Sequence, residues 1–159
     1  MGDPALMLRA LLVERFALKA RTETRQLPGY ALVRARQDGK PGPRLRVPDG
    51  RCVPRTERVV RGQIPCGVRG GFQGMMGNGA SMTRLAAVLS PLLGRRVIDR
   101  TALPGTFDFD LRFIDDTTAD GRFPSLFTAL QEQLGLKLES TRAPVDVLVI
   151  DSVQRPTDN

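Results

Sequence analysis

Two cysteines, a scatter of carboxylates and no histidine bound the chemistry open to this 159-residue chain. Without an imidazole, neither a Ser-His nor a Cys-His nucleophile can be assembled. The commonest general base and the commonest metal ligand are missing together. Cys52 and Cys66 have thirteen residues between them, in a stretch rich in Pro, Gly and Arg. Two readings stand: a disulfide that staples the loop, implying an oxidising compartment, or two free thiols. Two Cys and no His do not make a usual structural zinc site.

The carboxylates offer weaker patterns. Asp116, Thr118, Asp120 and Gly121 match positions one, three, five and six of a calcium loop, but position twelve is Phe127, which has no carboxylate for bidentate ligation. A solvated turn is the better reading. Asp99, Asp108 and Asp110 could form an acid-base cluster. Asp108 and Asp110, however, alternate with Phe107 and Phe109, which places them on the solvent side of a strand. Six glycines, Gly67, Gly70, Gly71, Gly74, Gly77 and Gly79, precede a helix. A phosphate cradle at the helix amides is one reading. The stretch lacks the GKS or GKT ending and dinucleotide spacing, so a bulged or edge strand fits better. No catalytic, cofactor-binding or metal-ligating set is assigned, and no cofactor is expected.

Charge gives a second constraint. The chain carries a net +7. Up to Phe72 there are 15 Lys/Arg against 6 Asp/Glu, and from Gln73 onward 9 against 11. An Arg-rich N-terminal half can attract nucleic acid or another polyanion. The basic residues alternate along strands or stand singly in loops, and one Tyr with no Trp gives little to stack on bases. Nucleic acid is therefore the less favoured partner. No apolar run is long enough for a membrane span, and the N-terminus lacks the basic region and cleavage site of a signal peptide.

The positioning elements follow from periodicity. Asp3-Pro4 opens a helix carrying Leu8, Leu11 and Leu12 toward a core. From Phe16 the period falls to two, Leu27-Pro28-Gly29 reads as a turn, and Tyr30 to Arg36 reads as the returning strand. Residues 37–69 form a Pro/Gly/Arg-rich connecting loop holding both cysteines, with short strands near Arg44–Val47 and Arg58–Ile64. Gly70 to Gly77 reads as a strand and Asn78-Gly79 as a turn. A helix runs from Ser81 to Gly94 with Met82, Leu85, Ala86, Leu89, Leu92 and Leu93 at core spacing and Pro91 inside it. Val97–Asp99 and Thr106–Phe113 are strands, with Phe107, Phe109, Leu111 and Phe113 inward. A last helix closes at Gly135 and two strands end at Asp151.

An internal echo organises the whole. LRALLVERFALKARTETRQLPGYALV, from Leu8, repeats in SLFTALQEQLGLKLESTRAPVDVLVID, from Ser125, as one α-β-β unit used twice. The expected fold is α+β, with two helices on one face of small mixed or antiparallel sheets. Residues 1–36 form an N-terminal α-β-β unit, half of a duplicated copy. Residues 70–153 form a β-α-β-β-α-β-β domain, and residues 154–159 a tail.

The phrases LMLRALLVERFALKARTETRQLPGYALV, GASMTRLAAVLSPLLGRRVIDRTALPGTFDFDLRF and PSLFTALQEQLGLKLESTRAPVDVLVIDSVQRP resemble a soil-associated, Acidobacteria-rich family of uncharacterised proteins. The resemblance implies longer, exported relatives, several with His at the position of Arg21 and Gly at that of Ala102. The element order from Gly70 to Asp151 is also similar to the short N-terminal domain of secretins and TonB-dependent receptors. That resemblance implies a periplasmic protein-interaction module. The expected role is thus a non-enzymatic binding or assembly module with a protein partner. The apolar side of the 1–36 unit would pack on its own C-terminal domain or on a second chain as a homodimer. Polyanion binding is the competing class and an enzyme of unknown chemistry the third.

Overall fold

The computed structural model describes residues 4–36, 38–54, 56, 58–71, 74–114 and 123–156. In chain order the elements are α1 (Pro4–Phe16), β1 (Lys19–Arg34), β2 (Leu45–Arg46), β3 (Cys52–Val53), β4 (Ile64–Pro65), β5 (Gly67–Gly71), β6 (Gly74–Ala80), α2 (Met82–Leu93), β7 (Val97–Asp99), β8 (Phe107–Arg112), α3 (Leu126–Ala129) continued as a π-turn (Leu130–Leu134), and β9 (Leu136–Ser152). The fold is α+β. Among the described residues three sheets are formed: β7-β1-β9, β2-β8-β6-β5 and the pair β3-β4. The chain divides into two compact units, Met1–Leu27 with Pro144–Asn159, and Pro28–Ala143.

In the larger unit the core is where local pattern and tertiary packing agree. Ser81 accepts the Arg84 amide at 3.1 Å, capping α2, and Gly94 ends it in the left-handed region at φ 60°. Met82, Leu85, Ala86 and Leu89 are buried, with Leu92 and Leu93 packed against them. Pro91 sits inside the helix as expected. The Ser90 hydroxyl donates to the Ala86 carbonyl and accepts the Val97 amide, both at 2.9 Å, tying the last turn to β7. Phe109, Leu111 and Phe113 are buried and Phe107 half-buried, as the strand alternation requires. Ser125 caps α3 and Gly135 closes the π-turn at φ 69°. Its last carbonyls are not orphaned: Gly42 donates to Leu134, Arg44 to Gln133 and Ala35 to Gly135, at 2.8–2.9 Å.

The hairpins expected inside the repeat do not form. Leu27-Pro28-Gly29 lies within one continuous strand, β1, and the C-terminal copy also gives one strand, β9. Each copy is therefore a helix followed by a single long strand. Gly29 is needed for close approach rather than for a turn. A Cβ there would lie 2.5 Å from the Arg96 carbonyl oxygen and 3.2 Å from Ala143 Cβ, while Tyr30 donates to Arg96 at 2.9 Å. β7 joins β1 in parallel, with Tyr30 opposite Val97.

In the smaller unit α1 lies beside a ribbon of β1 and β9. Arg21 reaches Asp151 at 3.1 Å, Thr24 donates to Asp146 at 2.6 Å, and the Gln154 amide donates to the Phe16 carbonyl at 2.8 Å. Numbers that rise on one strand fall on the other, so the ribbon is antiparallel. The expected burial of the α1 leucines is not met: α1 has no buried residue, and Leu8 and Leu11 are 57% and 51% exposed. A helix on a two-stranded ribbon has too little surface to enclose them.

Candidate functional site

The face of the four-stranded sheet turned away from the core carries a set of polar side chains. Register fixes who stands beside whom. Arg69 on β5 is opposite Met76 on β6, Met76 is opposite Asp110 on β8, and Arg46 on β2 is opposite Asp108. Alternate positions on the same strands, Val68, Met75, Phe109, Leu111 and Leu45, are buried in the core. The period of two thus sends arginines, aspartates, Met76 and Asn78 to the open side.

Two grooves cross this face. One, of about 310 Å³, is lined by Arg44, Arg46, Met76, Asn78, Asp108 and Asp110 among others. The second, of about 610 Å³, shares Met76 and Asp110 and adds Arg69, Arg112 and Phe123. A smaller cavity of about 130 Å³ adjoins Asn78 and Asp108 on the side of Cys52.

Asp108 organises the neighbourhood. Its Oδ1 accepts the Gly79 amide at 2.6 Å and its Oδ2 the Asp49 amide at 3.2 Å. It stands on the open face, as the alternation implies, and is half-buried there. These two bonds tie the cysteine loop to β6 and β8. Asn78-Gly79, expected as a turn, is instead a bulge inside β6, where the pairing with β8 shifts between Gly77 and Ala80. Gly79 adopts φ 54°, and a Cβ there would lie 2.7 Å from Cys52 Sγ. Both the left-handed backbone and the disulfide exclude a side chain. Cys52 and Cys66 are at bonding distance, S–S 2.07 Å, with Cα atoms 4.9 Å apart. Sequence spacing left the thiol alternative open; the structure joins them.

The other carboxylates have separate tasks. Asp110 pairs with Arg112 at 3.2 Å and Arg44 at 3.7 Å. Asp99 lines none of these grooves. It accepts from the Thr83 hydroxyl at 3.0 Å and from the amide and hydroxyl of Thr101 at 2.9 and 2.8 Å, holding the buried Thr101 in the loop after β7. The possible trio is therefore split, with Asp108 and Asp110 on one face and Asp99 elsewhere. The glycines from Gly67 to Gly79 form the β5-β6 hairpin, and Ser81 takes an α2 amide that a phosphate would need. The calcium-like stretch Asp116, Thr118, Asp120 and Gly121 lies outside the described residues.

Sequence reasoning missed two residues here. Asn78 reads in the sequence only as half of a turn, yet its Nδ2 is buried without a hydrogen-bond partner among the described residues. Gln133 reads in the sequence only as a helix residue. Its side-chain amide accepts from the Arg112 amide at 3.0 Å and donates to the Arg112 carbonyl at 2.7 Å, closing the β8 edge as a strand would. No sequence signal marks either, because both roles depend on a distant strand.

A family model described as protein of unknown function (DUF3738) matches residues 2–153. The chain belongs to that family. No curated protein and no solved structure matches it.

Proposed function

We propose that this family member is a non-enzymatic binding and assembly module that docks on a protein partner, of the kind found in cell envelopes. One observation carries the reading. The smaller unit exposes large apolar side chains: Leu6, Met7, Leu8, Leu148, Ile150 and Val153 are each more than half exposed. An apolar groove of about 230 Å³ runs between α1 and the ribbon, lined by Leu8, Leu12, Val13, Leu18 and Leu148 among others. An apolar groove flanked by exposed apolar side chains supports a protein interaction site. The disulfide is compatible with an oxidising periplasmic or extracellular location. Among the described residues no helix is long and apolar enough to cross a membrane. The resemblance of residues 70–153 to the short N-terminal domain of secretins and TonB-dependent receptors points the same way.

A second copy of the chain is the partner to test first. Mass measured by light scattering across a wide concentration range should rise toward a dimer, and the double substitution Leu8→Glu, Leu11→Glu should hold it at the monomer. If the wild type stays monomeric and binds no more apolar dye than the double variant, the docking reading falls. A monomer whose dye binding is lost in the variant removes the homodimer alone.

The second reading is polyanion binding through the Arg-rich half, favoured by the surplus of 15 basic over 6 acidic residues up to Phe72. Salt-dependent retention on a DNA column supports it, and flow-through at low salt dismisses it.

A further inference from the structure

We propose that two copies of the chain join edge to edge through the smaller unit, β9 against β9 in antiparallel, about a two-fold axis at Val149. The proposal rests on the reading that this unit docks on a protein, and it names the occupant and the register. β9 runs from Leu136 to Ser152 and is the edge of its sheet. Among the described residues no strand lies on its other side. Such an edge presents unpaired N–H and C=O groups, which a further strand completes.

The two strands of the ribbon differ in how they guard their edges. β1 carries Lys19, Arg21, Glu23 and Arg25 at alternate positions, charges of the kind that keep an edge from pairing. β9 carries Lys137, Glu139, Arg142 and Pro144 ahead of Val145. From Val145 to Val153 the chain has no Lys, Arg or Pro. The two carboxylates of that stretch are engaged by β1: Asp146 accepts from Thr24 at 2.6 Å, and Asp151 pairs with Arg21 at 3.1 Å. Its apolar side chains are not used up within the chain. Leu148 is 65% exposed, Ile150 59% and Val153 61%.

Self-complementarity selects a second copy as the occupant. A two-fold axis normal to the sheet keeps each residue on its own face and makes the same patch meet itself. With the axis at Val149, Leu148 stands opposite the second copy's Ile150, Val145 opposite its Val153, and Asp146 opposite its Ser152. Apolar residues meet apolar ones, and no carboxylate faces another. Asp151 falls opposite Val147, but Arg21 holds its charge. Other axes match less well. At Asp146 two carboxylates would face each other. At Leu148, Asp146 would face Ile150 and Asp151 would face Val145. At Val147, Pro144, with no N–H to give, would enter the pairing. Leu148 already shares a groove with Leu8 and Leu12 of α1, so the second copy's Ile150 would extend an apolar strip that the chain itself begins.

Cysteine cross-linking of the full chain tests the register. Cys52 and Cys66 are joined, so one added cysteine is the only free thiol. At a concentration where light scattering shows a dimer, Val149→Cys should link to itself through a short bis-maleimide. Val145→Cys and Val153→Cys should not link alone but should link when mixed. Leu148→Lys and Ile150→Glu should each weaken dimerisation about tenfold, and a mixture of the two should recover it. Circular dichroism matching the wild type shows that each variant is folded. If the wild type is dimeric but neither Val149→Cys nor the Val145→Cys and Val153→Cys mixture links, the pairing is overturned, and docking on a second copy stands through another surface. Self-linking of Val145→Cys as efficient as that of Val149→Cys, or a charge-swapped mixture that stays monomeric, overturns it as well. A wild type that is monomeric at every concentration also overturns the pairing, and apolar dye binding then decides the docking reading separately.

Discussion

Removal of the Cys52–Cys66 link is the perturbation whose size can be worked out most directly. The two cysteines are 14 positions apart. Closing a loop of that length in the unfolded chain is worth about 3 kcal/mol in the chain-entropy model. The full amount is lost only if the loop keeps its native shape when the bond is gone. Little within the loop itself holds that shape. Described residues from Pro54 to Gln63 are exposed, and the β3-β4 pairing covers two residues on each strand. The anchors lie at the loop ends: Cys66 donates to the Val53 carbonyl at 2.8 Å, Asp49 donates to Asp108, and Cys52 Sγ fills the space above Gly79. These contacts tie the ends to β6 and β8, so the loss should be felt by the whole larger unit. At about 2–4 °C per kcal/mol for a chain of this size, Cys52→Ser with Cys66→Ser should lower Tm by roughly 6–12 °C. The assay is thermal unfolding followed by near-ultraviolet circular dichroism, for the wild type with and without reductant and for the double variant. A fall of less than about 2 °C, with faster amide exchange confined to residues 54–63, would refute the coupling and show that the loop melts alone.

Three further outcomes are expected. Gly77→Ala would put a Cβ 2.1 Å from Phe109 Cε1, so it should destabilise by about 1–3 kcal/mol through overpacking; adding Phe109→Leu should recover part of that loss in a urea titration. Ala102 has φ 54°, a region that costs an L-residue about 1–2 kcal/mol. Ala102→Gly should therefore stabilise the fold by a net of up to about 1 kcal/mol after the added chain entropy of Gly, seen as a higher urea midpoint. The Asp38 carboxyl is held below its usual range, first by the hydrogen bond from Arg36 and next by the Lys40 amide. Its contribution to folding is present above the unfolded pKa and fades as pH falls through the lowered folded value. A carbon-detected titration should show Asp38 below an ordinary aspartate, and Arg36→Gln should move it back up.

Much of the architecture was legible because it rests on short-range rules. Ser81 and Gly94 bracket α2 as cap and stop, Met82, Leu85, Ala86 and Leu89 turn inward at helical spacing, and Phe109, Leu111 and Phe113 alternate into the core. The repeat was also legible, as a helix followed by extended chain at both ends. Its hairpins were not. Pro28-Gly29 and Asn78-Gly79 are strong local turn signals, yet both lie inside strands because a distant group needs the space. At Gly29 that group is the Arg96 carbonyl, and at Gly79 it is the Cys52 sulfur.

The amino-acid order alone determined the α+β class, the helix ends, the inward faces of α2 and β8, and the absence of any imidazole. Each depends only on residues within a few positions of one another. Tertiary structure alone decided that the thiols are joined and that Asp108 pins the cysteine loop. It also decided that Asn78 Nδ2 is buried with no hydrogen-bond partner among the described residues, and that α1 shows its leucines to solvent. Those outcomes depend on which strands become neighbours, and strand pairing is settled by the shared core rather than by any one segment's own preferences.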